Sequence, residues 1–232
     1  MNSLVLNNMD TFPAQVEEAF NRLRVNFGFC GAGKKKVLIA SSLPNEGKSF
    51  VSVNLWRMLA EVGNNVVLVD ADLRKSVLRS RYRFSSEKNF PGLSHYLSGQ
   101  AGIKEVLYST NISNGYIVPV SYTISNPSLL FHGDAFPALL DALAENFEYV
   151  LVDTPPLTNV ADATQIASFC DGALLVVKSG ETPRKLISAS ISQLKNANCE
   201  LLGVVLNQTH PKDSRYYSKY MKNGYYSSDN NK

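Results

Sequence analysis

Residues 37–49 read VLIASSLPNEGKS, a short apolar run followed by a loop that closes on Gly47-Lys48-Ser49. From Ser42 to Ser49 the spacing is that of the phosphate-binding loop, G-x-x-x-x-G-K-[ST], with serine in the place of the first glycine. The chemistry behind that spacing is backbone N–H groups facing a β-phosphate, which a loop feeding a helix N-terminus presents. Gly47 lets the main chain come close to the phosphate, and Asn45 tolerates a left-handed conformation. Lys48 supplies a point charge between β- and γ-phosphates, and the Ser49 hydroxyl is a ligand for Mg²⁺. The residues expected against the nucleotide are Asn45, Glu46, Gly47, Lys48, Ser49 and Phe50. A chance Gly-Lys-Ser at a turn is the bland alternative; the apolar run before it and the helical pattern after it count against that.

Two further apolar runs stop at aspartate, VVLVDAD at 66–72 and YVLVDTPP at 149–156. Asp70 and Asp72 stand two apart at a strand end, so extended geometry turns both carboxylates to one side. Asp153 closes its own strand. Acids gathered at the carboxyl edge of a parallel sheet, where ligands bind, suit metal and proton handling. One carboxylate can hold magnesium through water while another accepts a proton from an attacking hydroxyl. A single strand-end aspartate more simply caps the next turn; three beside a phosphate loop weaken that reading.

Between these runs, Val-, Ile- and Leu-rich segments alternate with helical periodicity. Strands are expected at 37–41, 66–70, 116–119, 149–153, 173–178 and 201–207, and helices at 48–62, 135–145, 162–169 and 183–196. Gly63-Asn64-Asn65 ends the first helix as a C-terminal stop. Strands this uniformly apolar are buried on both faces, which requires an α/β fold, a mostly parallel sheet with helices on both sides. An N-terminal amphipathic helix is expected at 13–26, with Thr11 as a hydroxyl cap and Val16, Phe20, Leu23 and Phe27 on its inner face.

The chain has 232 residues, long enough for one well-cored α/β domain, with a net charge of +3 that is too small to argue for nucleic acid. Lys34-Lys35-Lys36 and the arginines at 74–83 read as solvated loops or, second, as phosphate or partner contacts. Three cysteines without CxxC spacing and three scattered histidines suggest neither a disulfide framework nor a zinc site. No apolar run nears the roughly 18 residues needed to span a bilayer.

Residues from about 211 onward carry almost no aliphatic side chains and read as a flexible arm. Tyr216, Tyr217, Tyr220, Tyr225 and Tyr226 crowd into it, against about one expected by chance. The domain division is thus 1–210, with 1–33 as N-terminal helix and lead-in, and 211–232 as the tyrosine-rich tail. Five basic against two acidic residues give that tail a charge of +3. Five phosphates at roughly −1.5 to −2 each would swing it by roughly −8 to −10.

Taken together, these motifs resemble the bacterial protein-tyrosine kinases (BY-kinases) of capsule and exopolysaccharide synthesis, relatives of the MinD/ParA P-loop ATPases. The resemblance runs over essentially the whole chain: the phosphate loop, VDADLR at 69–74, VDTPP, Gly92-Leu-Ser with Tyr96-Leu-Ser-Gly99, Asn126-Pro127-Ser128, LGVVLN at 202–207 and the tyrosine-rich end. It implies an ATP- and Mg²⁺-dependent kinase in which Lys48 and Ser49 bind phosphate and metal, Asp70 is the base, Asp72 completes the catalytic set, and Asp72 and Asp153 organise the metal. It also implies an adenine contact at Asn207, where a plain turn residue is an equal reading. Further implications are tail phosphorylation in a neighbouring subunit of a ring-like homo-oligomer and a cognate tyrosine phosphatase. The activator is the cytosolic tail of a membrane polysaccharide co-polymerase, which places the chain in the cytoplasm at the inner face of the membrane.

One departure concerns assembly. The family's Glu-x-x-Arg-x-x-Arg on the N-terminal helix is here Glu18, Asn21 and Arg24, with Arg22 displaced by one position, roughly 100° around the helix. Two competing readings stay open: a MinD/ParA-type ATPase switch, whose usual extra loop lysine is replaced by Leu43, and a scaffold whose nucleotide only stabilises an oligomer.

Overall fold

The computed structural model describes residues 2–30, 33–86, 90–158 and 161–209. In chain order, β1 (Asn2–Leu6) and α1 (Ala14–Gly28) precede β2 (Lys36–Ser41), α2 (Lys48–Glu61) and β3 (Val66–Asp70). Short elements follow: α3 (Leu78–Arg81), β4 (Phe84–Ser85), α4 (Leu93–Leu97), α5 (Ile103–Val106) and β5 (Tyr108–Thr110). The rest is β6 (Gly115–Val118), α6 (Ser128–Phe131), α7 (Ala135–Asn146), β7 (Tyr149–Asp153), α8 (Ala161–Ala167), β8 (Gly172–Lys178), α9 (Arg184–Asn196) and β9 (Glu200–Asn207).

The strands form one nine-stranded sheet in the order β4-β1-β5-β6-β3-β7-β2-β8-β9. The β1–β4 and β5–β6 pairs are antiparallel and every other pair is parallel. Parallel strands aligned in one direction bring all their C-terminal ends to one edge. In that edge Asp70 lies opposite Asp153 across β3 and β7, and β2, which feeds the phosphate loop, is the next strand.

Strand side chains alternate between faces, and each face has its own core. Leu38, Ala40, Val67, Val69, Val150 and Val152 pack with Phe136, Leu139, Leu140 and Leu143 of α7, Ile166 of α8 and Leu194 of α9. Val37, Ile39, Val66, Leu68 and Leu151 face the other way, onto Val51, Leu55, Trp56 and Leu59 of α2 and Phe27 of α1. Trp56 is fully buried, and its indole N–H donates to the Val66 carbonyl at 3.3 Å. The mostly parallel, doubly covered sheet is the α/β architecture the apolar runs required.

Several local expectations are corrected. Thr11 does not cap α1: Pro13 holds the cap position, its carbonyl accepting from the N–H groups of Val16 and Glu17. β1 extends the sheet where only lead-in was expected, because its partners come from more than 75 residues away, at Ser85 and at Tyr108–Thr110. The three N-terminal lysines are ion-paired or hydrogen-bonded rather than free. Lys34 meets Glu200 at 2.7 Å, Lys36 meets Asp141 at 2.8 Å, and the Lys35 ammonium donates to the Ala144 carbonyl. The tail from 211, with its five tyrosines, lies outside the described residues.

Candidate active site

The phosphate loop links β2 to α2. Its left-handed residues are Asn45 (φ 65°) and Gly47 (φ 87°), where asparagine and glycine are the residues that tolerate that conformation. The serine that replaces the first glycine needs no such freedom. Ser42 is fully buried, its hydroxyl accepts from Ser190 at 2.9 Å, and its carbonyl accepts from the Thr158 hydroxyl. A β-carbon added to Gly47 would lie 2.0 Å from the Asn207 amide nitrogen. The loop thus keeps a bare backbone at the start of α2, as a phosphate cradle requires.

Lys48, Ser49 and Ser52 converge on Asp153. The Lys48 ammonium lies 2.9 Å from Asp153 Oδ1, Ser49 Oγ donates to Oδ2 at 2.7 Å, and Ser52 Oγ donates to Oδ1 at 2.8 Å. Lys48 and Ser52 stand one helical turn apart, so both reach the same carboxylate. Ser52 was not anticipated, although its i+4 spacing from Lys48 carried the signal. The pair is deeply buried, with Lys48 at 7% and Asp153 at 1% exposure, so each group depends on the other to be tolerated there.

Asp70 sits beside this cluster at the end of β3. Its carboxylate accepts the Ser76 hydroxyl and, at 3.4 Å, the Asp72 N–H, so it shapes the turn that follows the strand. Burial first, then the neighbouring Asp153 carboxylate, pushes Asp70 up to about 8, against a lowering by Ser76. Burial likewise raises Asp72, with the Lys48 charge opposing it; Asp72 Oδ1 accepts the Lys75 N–H at 2.9 Å.

Two expected nucleotide residues turn their side chains elsewhere. Glu46 is buried and braces the loop: its carboxylate accepts from the Leu43 N–H at 2.7 Å and from the Thr182 hydroxyl. The Phe50 ring packs at 5.6 Å on Phe12 and 5.5 Å on Phe20, with the Arg81 guanidinium 5.1 Å from its centroid. What these two offer a phosphate is backbone. Asn207, at the end of β9, donates its amide to the Glu46 carbonyl at 2.9 Å, and Gln208 donates to the Asn45 carbonyl at 3.1 Å.

A second polar cluster went unread in the sequence. Arg74, from the VDADLR run, meets the buried Asp162 at 2.6 Å, and Ser128 of Asn126-Pro127-Ser128 donates to the same carboxylate at 2.5 Å. Arg74 also donates to the Ser125 carbonyl at 3.0 Å, so it fastens the loop after β3 to α6 and α8 rather than facing solvent.

Hard oxygen donors suit magnesium. The Ser49 hydroxyl and the Asp153 carboxylate meet beside Lys48, whose charge also reaches the Asp72 carboxylate, and these are the oxygens that could hold Mg²⁺ next to a triphosphate. Asp70, Asp72 and Asp153 do not by themselves form a cage: among the described residues no group of three or more His, Cys, Asp or Glu side chains is placed to hold a metal ion. The remaining positions around an ion would fall to phosphate oxygens and water.

A family model described as an AAA domain matches residues 35–205. The chain is 34% identical over 210 residues to a tyrosine-protein kinase CpsD of Streptococcus agalactiae, covering 90% of this chain and 91% of that protein. Among solved structures, the chimerical protein CapA2B2 superposes with a TM-score of 0.78 at 27% identity, covering 88% of this chain and 94% of the other. The kinase domain of the Escherichia coli tyrosine kinase ETK superposes at 0.75 with 28% identity, covering 83% and 77%.

Proposed function

We infer the chemistry of this site from one premise: the chain belongs to the bacterial protein-tyrosine kinases, built on an AAA-type P-loop domain. It is an ATP-dependent protein-tyrosine kinase of capsule and exopolysaccharide synthesis. The observation that carries the reading is the convergence of Lys48, Ser49 and Ser52 on Asp153, with Asp70 in register on the adjacent strand.

With nucleotide bound, Lys48 would pair with the β- and γ-phosphates of ATP in place of Asp153, and Ser49, Asp72 and Asp153 would hold Mg²⁺. The ion, when bound, neutralises charge on the phosphate oxygens. Asp70, in its ionised form, would take the proton of a tyrosine hydroxyl once Ser76 yields its place. The phenolic oxygen bonds to the γ-phosphorus as the bond to the β–γ bridging oxygen breaks, leaving ADP and phosphotyrosine. Glu46 and Thr182 keep the loop in shape, and Asn207 lies beside the adenine end of the nucleotide.

The acceptors are Tyr216, Tyr217, Tyr220, Tyr225 and Tyr226, on a tail (211–232) distinct from the P-loop domain (1–210) and presented to a neighbouring copy in a ring-like homo-oligomer. The cytosolic tail of a membrane polysaccharide co-polymerase activates the enzyme at the inner face of the membrane, and a tyrosine phosphatase resets it. No helix among the described residues is long and apolar enough to cross a membrane. A cationic tail enters an acidic, magnesium-bearing site and leaves as a polyanion, which dissolves the assembly.

The test is to incubate the chain with Mg·ATP and an activator fragment and to map phosphate by mass spectrometry. Label on residues 216–226 that disappears in Lys48→Met supports the reading. ATP hydrolysis with an unmodified tail overturns it in favour of an ATPase switch.

A further inference from the structure

Beside the acidic centre lies a cleft of about 390 Å³ of opposite character. Its walls include Ser76, Arg79, Arg83, Ser121, Tyr122 and Thr123, and among the described residues no carboxylate lines it. It sits between the segment that leaves β3 and the loop that follows β6, at the same carboxyl edge of the sheet. The two segments are tied together there: Arg79 donates to the Ser121 carbonyl at 2.7 Å, and the Ile124 N–H donates to the Leu73 carbonyl at 2.7 Å. Ser76 belongs to both places, since it lines the cleft and donates its hydroxyl to Asp70.

The position rules out the nucleotide's own phosphates as the occupant. The phosphate loop leaves β2, which is separated from β3 by β7, roughly 10 Å across the sheet at the usual strand spacing. The cleft lies beyond β3 in the other direction, joined to Asp70 through Ser76. Its chemistry is that of an aryl phosphate site. Two guanidiniums four residues apart offer forked donors to a phosphate. The Thr123 hydroxyl lies on the same wall, the hydroxyls of Ser76, Ser80 and Ser121 being engaged by Asp70, the Val77 carbonyl and His95, and the rings of Tyr122 and Phe84 offer walls for an aromatic group.

Arg83 is the informative residue. It is exposed, and among the described residues no acid pairs with it. Its backbone is left-handed (φ 47°), a conformation costly for a residue with a long side chain and concentrated at functional sites.

We propose that this cleft is a phosphotyrosine-binding subsite, which holds an already modified tyrosine of the tail while another is presented to Asp70. The proposal rests on the kinase reading above. The tail's own charge supports it: the unmodified tail, at +3, is repelled by two arginines, whereas each phosphate places roughly −1.5 to −2 at one tyrosine, and two of them cancel the tail's positive charge. The tyrosine spacing supports it as well. Tyr217 and Tyr220 are three residues apart, roughly 10 Å in extended chain, and Tyr216-Tyr217 and Tyr225-Tyr226 are adjacent pairs. Modification would therefore be sequential, the first phosphate recruiting the tail for the next.

The experiment uses the full chain with the five tail tyrosines changed to phenylalanine and no ATP. Fluorescence anisotropy compares a synthetic peptide of residues 211–228 phosphorylated on Tyr217 with the same peptide unmodified. The phosphopeptide is expected to bind at least tenfold tighter and to weaken as salt rises. Arg83→Glu should abolish that preference, and Arg83→Lys should keep part of it. Arg79→Lys, which retains charge but loses the fork, should weaken binding with the fold intact by melting temperature. The proposal is overturned if the phosphopeptide binds no better than its parent, if Arg83→Glu leaves the preference in place, or if inorganic phosphate competes as well as the phosphopeptide. Phosphate transfer is scored separately with ATP. Binding without transfer sinks the kinase reading and leaves the cleft standing; transfer without binding does the reverse. Mass spectrometry of the native tail should show Arg83→Glu stalling at fewer phosphates per chain.

Discussion

The two flanks of the Asp70–Asp153 pair are built by opposite rules. On the β2, β8 and β9 side, polar groups are already partnered within the fold: Lys48 and Ser49 with Asp153, Glu46 with Leu43 and Thr182, Asn207 with the Glu46 carbonyl. On the β3 and β6 side, Arg83 stands without an acid among the described residues and borders an open cleft. The first flank is preorganised for one invariant ligand, where fixed donors avoid reorganisation during reaction. The second keeps its donors available for a partner that arrives, is modified and leaves.

The largest effect should fall on the preorganised flank. Lys48→Met removes the phosphate-facing charge and leaves Asp153 buried without its counter-ion. Phosphate transfer should fall by at least roughly 10²–10³-fold. In metal-free buffer stability should drop by about 3–5 kcal/mol in denaturant titration. Full stability in this variant would mean that Ser49 and Ser52 alone sustain the carboxylate.

Asp70→Asn tests the boundary between the flanks. Asp70 is held near 8, above its ordinary 3.8, so the folded chain retains a proton that the unfolded chain releases. Its contribution to stability is therefore present below pH 3.8 and lost as pH rises from about 4 to about 8. The variant should melt higher than the parent in chelator-containing buffer, by an amount that grows across that window and levels off above it. The gain should be roughly a few kcal/mol. A pH-independent difference would refute the assignment. Kinase activity should fall in the same variant, so stability and turnover move in opposite directions.

Thr182→Val takes one donor from the buried Glu46 carboxylate. A loss of about 1–3 kcal/mol is expected, with a higher KM for ATP and little change in kcat at saturation. A fall in kcat alone would place Thr182 nearer the chemistry than the loop. The smallest effect belongs to Glu18→Ala. Its exposed partner Arg22 lies 3.8 Å away, so the melting temperature should reflect no more than about 0.5 kcal/mol. A larger change in mass by light scattering than in stability would locate Glu18 at a subunit contact.

Legibility in the sequence followed the range of the interaction. The central strands were readable because their apolar runs are local; two of them end in Asp70 and Asp153, and a third feeds the phosphate loop. Ser52 was readable in principle by its helical spacing from Lys48. Thr182 and Asp162 were not: each meets a carboxylate or guanidinium that only folding brings near, 136 residues away for Thr182 and Glu46 and 88 for Arg74 and Asp162. Phe50 illustrates what motif position leaves out, since its ring is committed to Phe12 and Phe20 and only its backbone is left to face a phosphate.

By itself, then, the order of residues determined a phosphate loop between an apolar strand and a helix, and a doubly covered parallel sheet ending in aspartates. Periodicity and loop stereochemistry are short-range and survive in one dimension. The tertiary structure alone decided that Lys48 and two serines share one carboxylate, that Asp70 lies opposite Asp153, and that Arg79 and Arg83 border a cleft next to it. Those juxtapositions depend on which strands become neighbours and on how deeply charges are buried, and both are set by long-range packing.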